Sequence, residues 1–167
     1  MLKRKSLAAI IAVPLIMLAP AEASAFSLSG ANAVTIKRDR GGQVINYAIR
    51  MLKMKEAGKS VRFAGPCDSA CTLYLALPRN KTCVSQGASF GFHLPYGASP
   101  SGNKTAAKYL LRSYPGWVRS WISANGGLGS GIKTMSYAYA SQYLPTCSKA
   151  PRATRTPRAW PRHISTR

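Results

Sequence analysis

Acidic residues are almost missing from this chain. Glu22, Asp39, Glu56 and Asp68 stand against 24 Lys and Arg, for a formal charge of +20 at pH 7, and no acid follows Asp68. Long apolar runs are missing too. The run from Leu7 to Leu18 falls short of the roughly 20 apolar residues that a transmembrane anchor needs, so no stable membrane span is expected. Histidine is scarce, with only His93 and His163, and Cys67-x3-Cys71 is too loose for a zinc hairpin that nothing else repeats. Neither a metal site nor a cofactor is therefore expected. What is present is enough apolar content, 46%, for one ordinary domain with a core, which excludes disorder throughout.

The N-terminus has the order of an export signal. Lys3, Arg4 and Lys5 precede the short apolar run, and Ala23-Ser24-Ala25 places small residues at −3 and −1. Residues 1–25 read as a signal peptide cleaved before Phe26, giving a periplasmic or secreted chain. A buried amphipathic N-terminus is the competing reading, and no cysteine near the cleavage point points to a lipid anchor. Cleavage removes three basic residues and Glu22, leaving +18. In an oxidising compartment Cys67, Cys71, Cys83 and Cys147 form two bridges. Three pairings are open. We favour Cys71 with Cys83 and Cys67 with Cys147, because a helix after Ser69 would run back beside a strand at Thr82.

Residues 26–148 alternate strand and helix. NAVTIK, residues 32–37, is β-branched and reads as a strand. From Gln43 to Ala57 the apolar stripe Ile45, Ala48, Ile49 and Leu52 repeats with helical spacing, and Gly58 stops it. Val61 to Ala64 is the next strand, and Ser69 to Leu77 the next helix, with Asp68 placed to cap it. This order predicts an α/β layer with parallel strands. Thr82–Val84 and Ser89–His93 are short extended pieces. Residues 104–124 are helical with a break at Pro115, and Ser136–Leu144 is a last helix. From Lys149 the tail carries six basic residues, no acid and no period, so it is expected to be disordered. It reads either as an arm for anionic surfaces or as a solvated extension.

Three segments, GGQVINYAIRMLKM, VRFAGPCDSACTLYLA and FGFHLP, resemble the core of the ClpP/crotonase-like superfamily, in its exported ClpP-like branch. The resemblance covers residues 38–96 and continues in MSYAYASQYL. It implies a layered βαβ core, N-terminally shortened, with Ser69 as nucleophile, His93 as base, and the N–H groups of Gly42 and Ala70 as the oxyanion hole. It implies no particular assembly. The physics of the residues agrees: a helix start after a strand holds a serine rigidly and favours negative charge beside it. His93 is the sole histidine of the folded part.

The resemblance also exposes a gap. The superfamily's triad acid should stand shortly before Met135, where ANGGLGSGIKTM offers only Asn125 and Ser130. The leading expectation is thus an exported, peptidase-like serine hydrolase on a peptide or ester, weak because its acid is missing. The alternative is an inactive scaffold whose charge and tail attract anionic envelope polymers, with Tyr109, Tyr114, Trp117 and Trp121 available for stacking on bases. A thioester enzyme is the third class, and export argues against it because acyl-CoA substrates are cytosolic.

Overall fold

The structure, a computed structural model, describes residues 32–148. The segment read as an export signal, its cleavage site and the basic tail lie outside the described residues. Among those described, no helix is long and apolar enough to cross a membrane.

The described residues make six short strands and four α-helices, an α/β fold. Val34, Thr35 and Ile36 stiffen β1 (Ala33–Ile36), and α1 (Val44–Glu56) follows. Gly58, at φ +61°, ends α1. Its N–H reaches Lys55 O while that of Lys59 reaches Met54 O, the paired bonds of a Schellman cap. β2 (Ser60–Phe63) lies between β1 and β4 (Thr82–Val84), all parallel. The second sheet has β5 (Ser89–Phe92) in the middle, parallel to β3 (Pro66–Asp68) and antiparallel to β6 (Lys133–Ser136). The single parallel layer read from the sequence is therefore two three-stranded sheets.

The chain itself joins them. Gly65 carries β2 into β3 so close to β1 that a Cβ on it would stand 1.8 Å from Lys37 O. Beside it Asp39 N donates to Pro66 O at 2.9 Å and Asp68 N to Asp39 O at 2.8 Å, so the loop after β1 is zipped along β3. Phe63 and Phe90 meet edge to face at 4.9 Å across the junction. Both are fully buried with Val61, Leu73, Val84 and Met135, each large side chain contributing about 1.5–3 kcal/mol by burial.

Several sequence expectations need correction. The buried face of α1 is Tyr47, Ala48 and Met51, whereas Ile45, Ile49 and Leu52 are exposed. Tyr47 sets that rotation: its hydroxyl donates to Asp39 Oδ1 at 2.6 Å and its ring packs on Tyr74. Residues 69–76 form a 3-10 helix rather than an α-helix. Its residues 70–75 are all buried, and Thr72 Oγ1 donates back to Ser69 O at 2.6 Å, an i−3 contact that suits the tighter turn. Asp68 makes no side-chain cap; its carboxylate lies over Gly91, where a Cβ would be 2.3 Å from Asp68 Oδ1.

Further on, α2 (Pro100–Ser113) starts earlier than periodicity indicated. Ser99 Oγ accepts from Gly102 N at 3.2 Å and Pro100 stands at the first helical position. Pro115 separates it from α3 (Gly116–Ala124), as expected. Lys133–Ser136 is a strand, and only α4 (Tyr137–Ala140) is helical in the last segment. Of the aromatic side chains in this part, Tyr114 is buried and Tyr109, Trp117 and Trp121 are half-buried against the core. Tyr114 packs against Phe92, and Trp117 stacks on Tyr143 at 5.0 Å.

The cysteines pair as Cys67–Cys71 and Cys83–Cys147, not as favoured above. The chain turns at Ser69 sharply enough to bring Cys71 back to Cys67. Cys83 in β4 meets Cys147 because the chain after α4 returns beside that strand, with Val84 N donating to Pro145 O and Cys147 N to Val84 O. By loop length, the 64-residue separation is worth about 4 kcal/mol and the four-residue one about 2.

Candidate active site

β3 and β5 run side by side, with Asp68 opposite Gly91. Ser69 follows the end of β3, and His93 follows the end of β5. Both therefore lie at the C-terminal edge of a parallel pair, where ligands of open α/β sheets bind, and both line one open cleft of about 920 Å³. Gly41, Gly42, Asp68, Tyr96 and Leu110 line the same cleft. A smaller groove of about 480 Å³ between α1 and α2 shares Val44, Ile45 and Ala106 with it, and is lined by the Ser99, Ser101 and Thr105 hydroxyls but by no histidine or carboxylate.

Ser69 has φ +57°, and no other non-glycine residue among those described has a positive φ. A side chain in the left-handed region costs about 1–2 kcal/mol, and such residues gather at functional turns. Three features surround the turn. Gly41, at φ +78°, fits against it so tightly that a Cβ would stand 2.5 Å from Asp68 O, 2.7 Å from Ser69 Cβ and 2.8 Å from Ala70 N. Tyr114 O–H donates to Thr72 Oγ1 at 2.6 Å, and Thr72 in turn donates to Ser69 O. The Cys67–Cys71 bridge spans it.

The glycine that close approach demands is thus Gly41. A Cβ on Gly42 would make only ordinary contact, 3.5 Å from Tyr47 Cε2. Their N–H groups differ as well. Gly41 N donates to Asp39 Oδ1 at 2.8 Å, so Asp39 ties the loop down through both Gly41 and Tyr47. Gly42 N has no acceptor among the described residues. Ala70 is the second residue of its helix, and first-turn N–H groups have no intrahelical acceptor. Burial, then the bond to Asp39, raises the pKa of Tyr47 well above that of ordinary tyrosine, so it stays a donor to Asp39.

His93 is 8% exposed. Its Nδ1 lies 2.7 Å from Leu94 O. A carbonyl only accepts, so Nδ1 carries the proton and Nε2 of the neutral ring keeps its lone pair. Leu94 N in turn donates to Gly129 O at 2.7 Å, fixing this segment to the glycine loop before β6. No carboxylate pairs with the imidazole among the described residues, and no hydrogen bond joins Ser69 Oγ to it. Asn125 and Ser130 do not replace the acid: both are exposed, and Asn125 Nδ2 donates to Trp121 O. Sequence reasoning missed the Leu94 carbonyl because a backbone acceptor leaves no residue signature. Among the described residues no cluster of three or more His, Cys, Asp or Glu is arranged for a metal ion.

Burial raises the pKa of Tyr114 above that of ordinary tyrosine. A raised folded pKa gives stability that is present below the unfolded value, about 10, and is lost above it. Urea unfolding should therefore show stability falling by up to about 1.4 kcal/mol per pH unit above pH 10 from this group. Tyr114→Phe should make that slope shallower.

No family model matches the chain, and no curated protein matches it in sequence. Among solved structures, a point mutant of ClpP1 from Listeria monocytogenes is similar at 21% identity and a TM-score of 0.41, over 68% of this chain and 71% of that one.

Proposed function

We propose that this chain is an exported serine hydrolase of ClpP-like fold, acting slowly on a peptide or ester through Ser69 and His93. The observation that carries the reading is the left-handed Ser69, held at a strand end beside a glycine too tightly packed to accept a Cβ. Strand-to-helix turns of this kind present a nucleophile clear of its neighbours. Ser69 Oγ attacks the substrate carbonyl as His93 Nε2 takes its proton, and the N–H groups of Gly42 and Ala70 receive the oxyanion. His93 returns the proton to the leaving group, and water then releases the acyl group from Ser69. Leu94 O orients the ring as a triad acid would, but as a neutral dipole it stabilises the imidazolium less. Without a carboxylate the rate should be roughly 10⁴-fold below that of a full triad. Two disulfides fit an oxidising compartment, which supports the periplasmic or secreted reading.

The alternative, an inactive basic scaffold for anionic envelope polymers, is favoured by one observation: the missing Ser69–His93 hydrogen bond. The same experiment separates the two. A fluorophosphonate should label the protein at Ser69. His93→Ala should lower that rate about a hundredfold, the usual worth of a general base. Labelling indifferent to His93, or none at all, would favour the scaffold.

A further inference from the structure

We infer that the Cys67–Cys71 disulfide is a positioning device that holds Ser69 in its left-handed conformation, an inference that rests on reading Ser69 as the nucleophile. The bridge closes only Asp68, Ser69 and Ala70 between its ends, and Ser69 is the middle residue of the three. Both cysteines are fully buried, Cys67 in β3 and Cys71 in the 3-10 helix, so the strained residue sits between two anchored ends.

The local geometry explains why a covalent tie belongs here. Relaxing Ser69 to a negative φ would swing the helix start away from β3 and carry the Cys71 Cα off its 5.4 Å distance from that of Cys67. Bridged cysteines tolerate only a narrow range of such distances. The remaining restraints are of a different kind. Gly41 leaves room for the turn, and the Thr72 hydroxyl holds Ser69 O, but neither closes the loop covalently. Global stability does not account for the placement, because a short loop contributes least by closure and Cys83–Cys147 closes a much longer one. Cys67 and Cys71 are thus positioning residues that act through the backbone of Ser69, without touching substrate.

The test compares full-length Cys67→Ala/Cys71→Ala protein with Cys83→Ala/Cys147→Ala as control. Fluorophosphonate labelling of Ser69 should slow at least tenfold in the first and stay within twofold of the parent in the second, although the second loses more stability towards urea. A crystal structure of the first should show Ser69 at negative φ. A volume-matched Cys67→Ala/Cys71→Val protein carries the same comparison where the alanine pair folds poorly. Ser69 still near φ +57° without the bridge, or equal slowing in both proteins, overturns the inference. If the parent is never labelled yet Ser69 loses its positive φ without the bridge, the positioning role stands and the nucleophile reading falls.

Discussion

In Gly41→Ala protein, fluorophosphonate labelling of Ser69 is expected to be about a thousandfold slower than in the parent. The added methyl would meet Asp68 O at 2.5 Å, Ser69 Cβ at 2.7 Å and Ala70 N at 2.8 Å, two of them backbone atoms that have nowhere to move. The strain of a side chain at φ +78° adds to this. Relief requires the Gly41-Gly42 loop to lift away from the turn, which displaces Gly42 N–H and Ser69 together. A shift of about 1 Å costs on the order of 10² in rate and loss of an oxyanion donor 10²–10³, so about 10³ for the two combined is a modest expectation. Far-ultraviolet circular dichroism should show the fold retained, since Gly41 and Gly42 are not buried and the Asp39 bonds to Pro66, Asp68 and Tyr47 lie outside the two glycines. Gly42→Ala serves as the contrast: with only a 3.5 Å contact to accommodate, it should label within a few-fold of the parent.

Gly65→Ala should have the largest effect on stability. Its methyl would stand 1.8 Å from Lys37 O and 2.7 Å from Lys37 C, in the buried stretch where β2 becomes β3. Making room means parting β1 from β2 and breaking the bonds that Ala64 N makes to Ile36 O and Asp39 N to Pro66 O. Losses above about 4 kcal/mol are exceptional for one substitution, and this one should exceed that, a large share of the roughly 5–15 kcal/mol that holds a domain together. Urea unfolding checks it, with a midpoint expected far below the parent's. A midpoint close to the parent's would mean that the two sheets are not joined as described.

How much of this was legible beforehand depends on what holds each element. β1, β2, β4 and β5 were readable within a residue or so, because short β-branched or aromatic runs bounded by Gly and Pro leave little choice. The face of α1 was not. Its sequence is apolar on two sides, and the stripe through Ile45, Ile49 and Leu52 lost to the one through Tyr47 and Met51, since Tyr47 finds Asp39 and Tyr74. β6 was missed because Lys133-Thr134-Met135-Ser136 is a strand only through its pairing with β5. The disulfide pairing failed because it assumed a helix running back from Ser69 to β4, whereas the turn at Ser69 closes on itself. Ser69 and His93 could be found as the serine and histidine of a familiar order of segments. The φ of Ser69, the packing of Gly41 and the Leu94 carbonyl could not, because each is a relation between backbones.

Whether Ser69 is a nucleophile is decided by treating the full-length protein with a fluorophosphonate and mapping the adduct by peptide mass spectrometry. One modified residue is expected, Ser69, in the disulfide-linked peptide that contains Cys67 and Cys71, with no adduct in Ser69→Ala protein. An adduct on another residue, or no reaction after prolonged exposure, would contradict it.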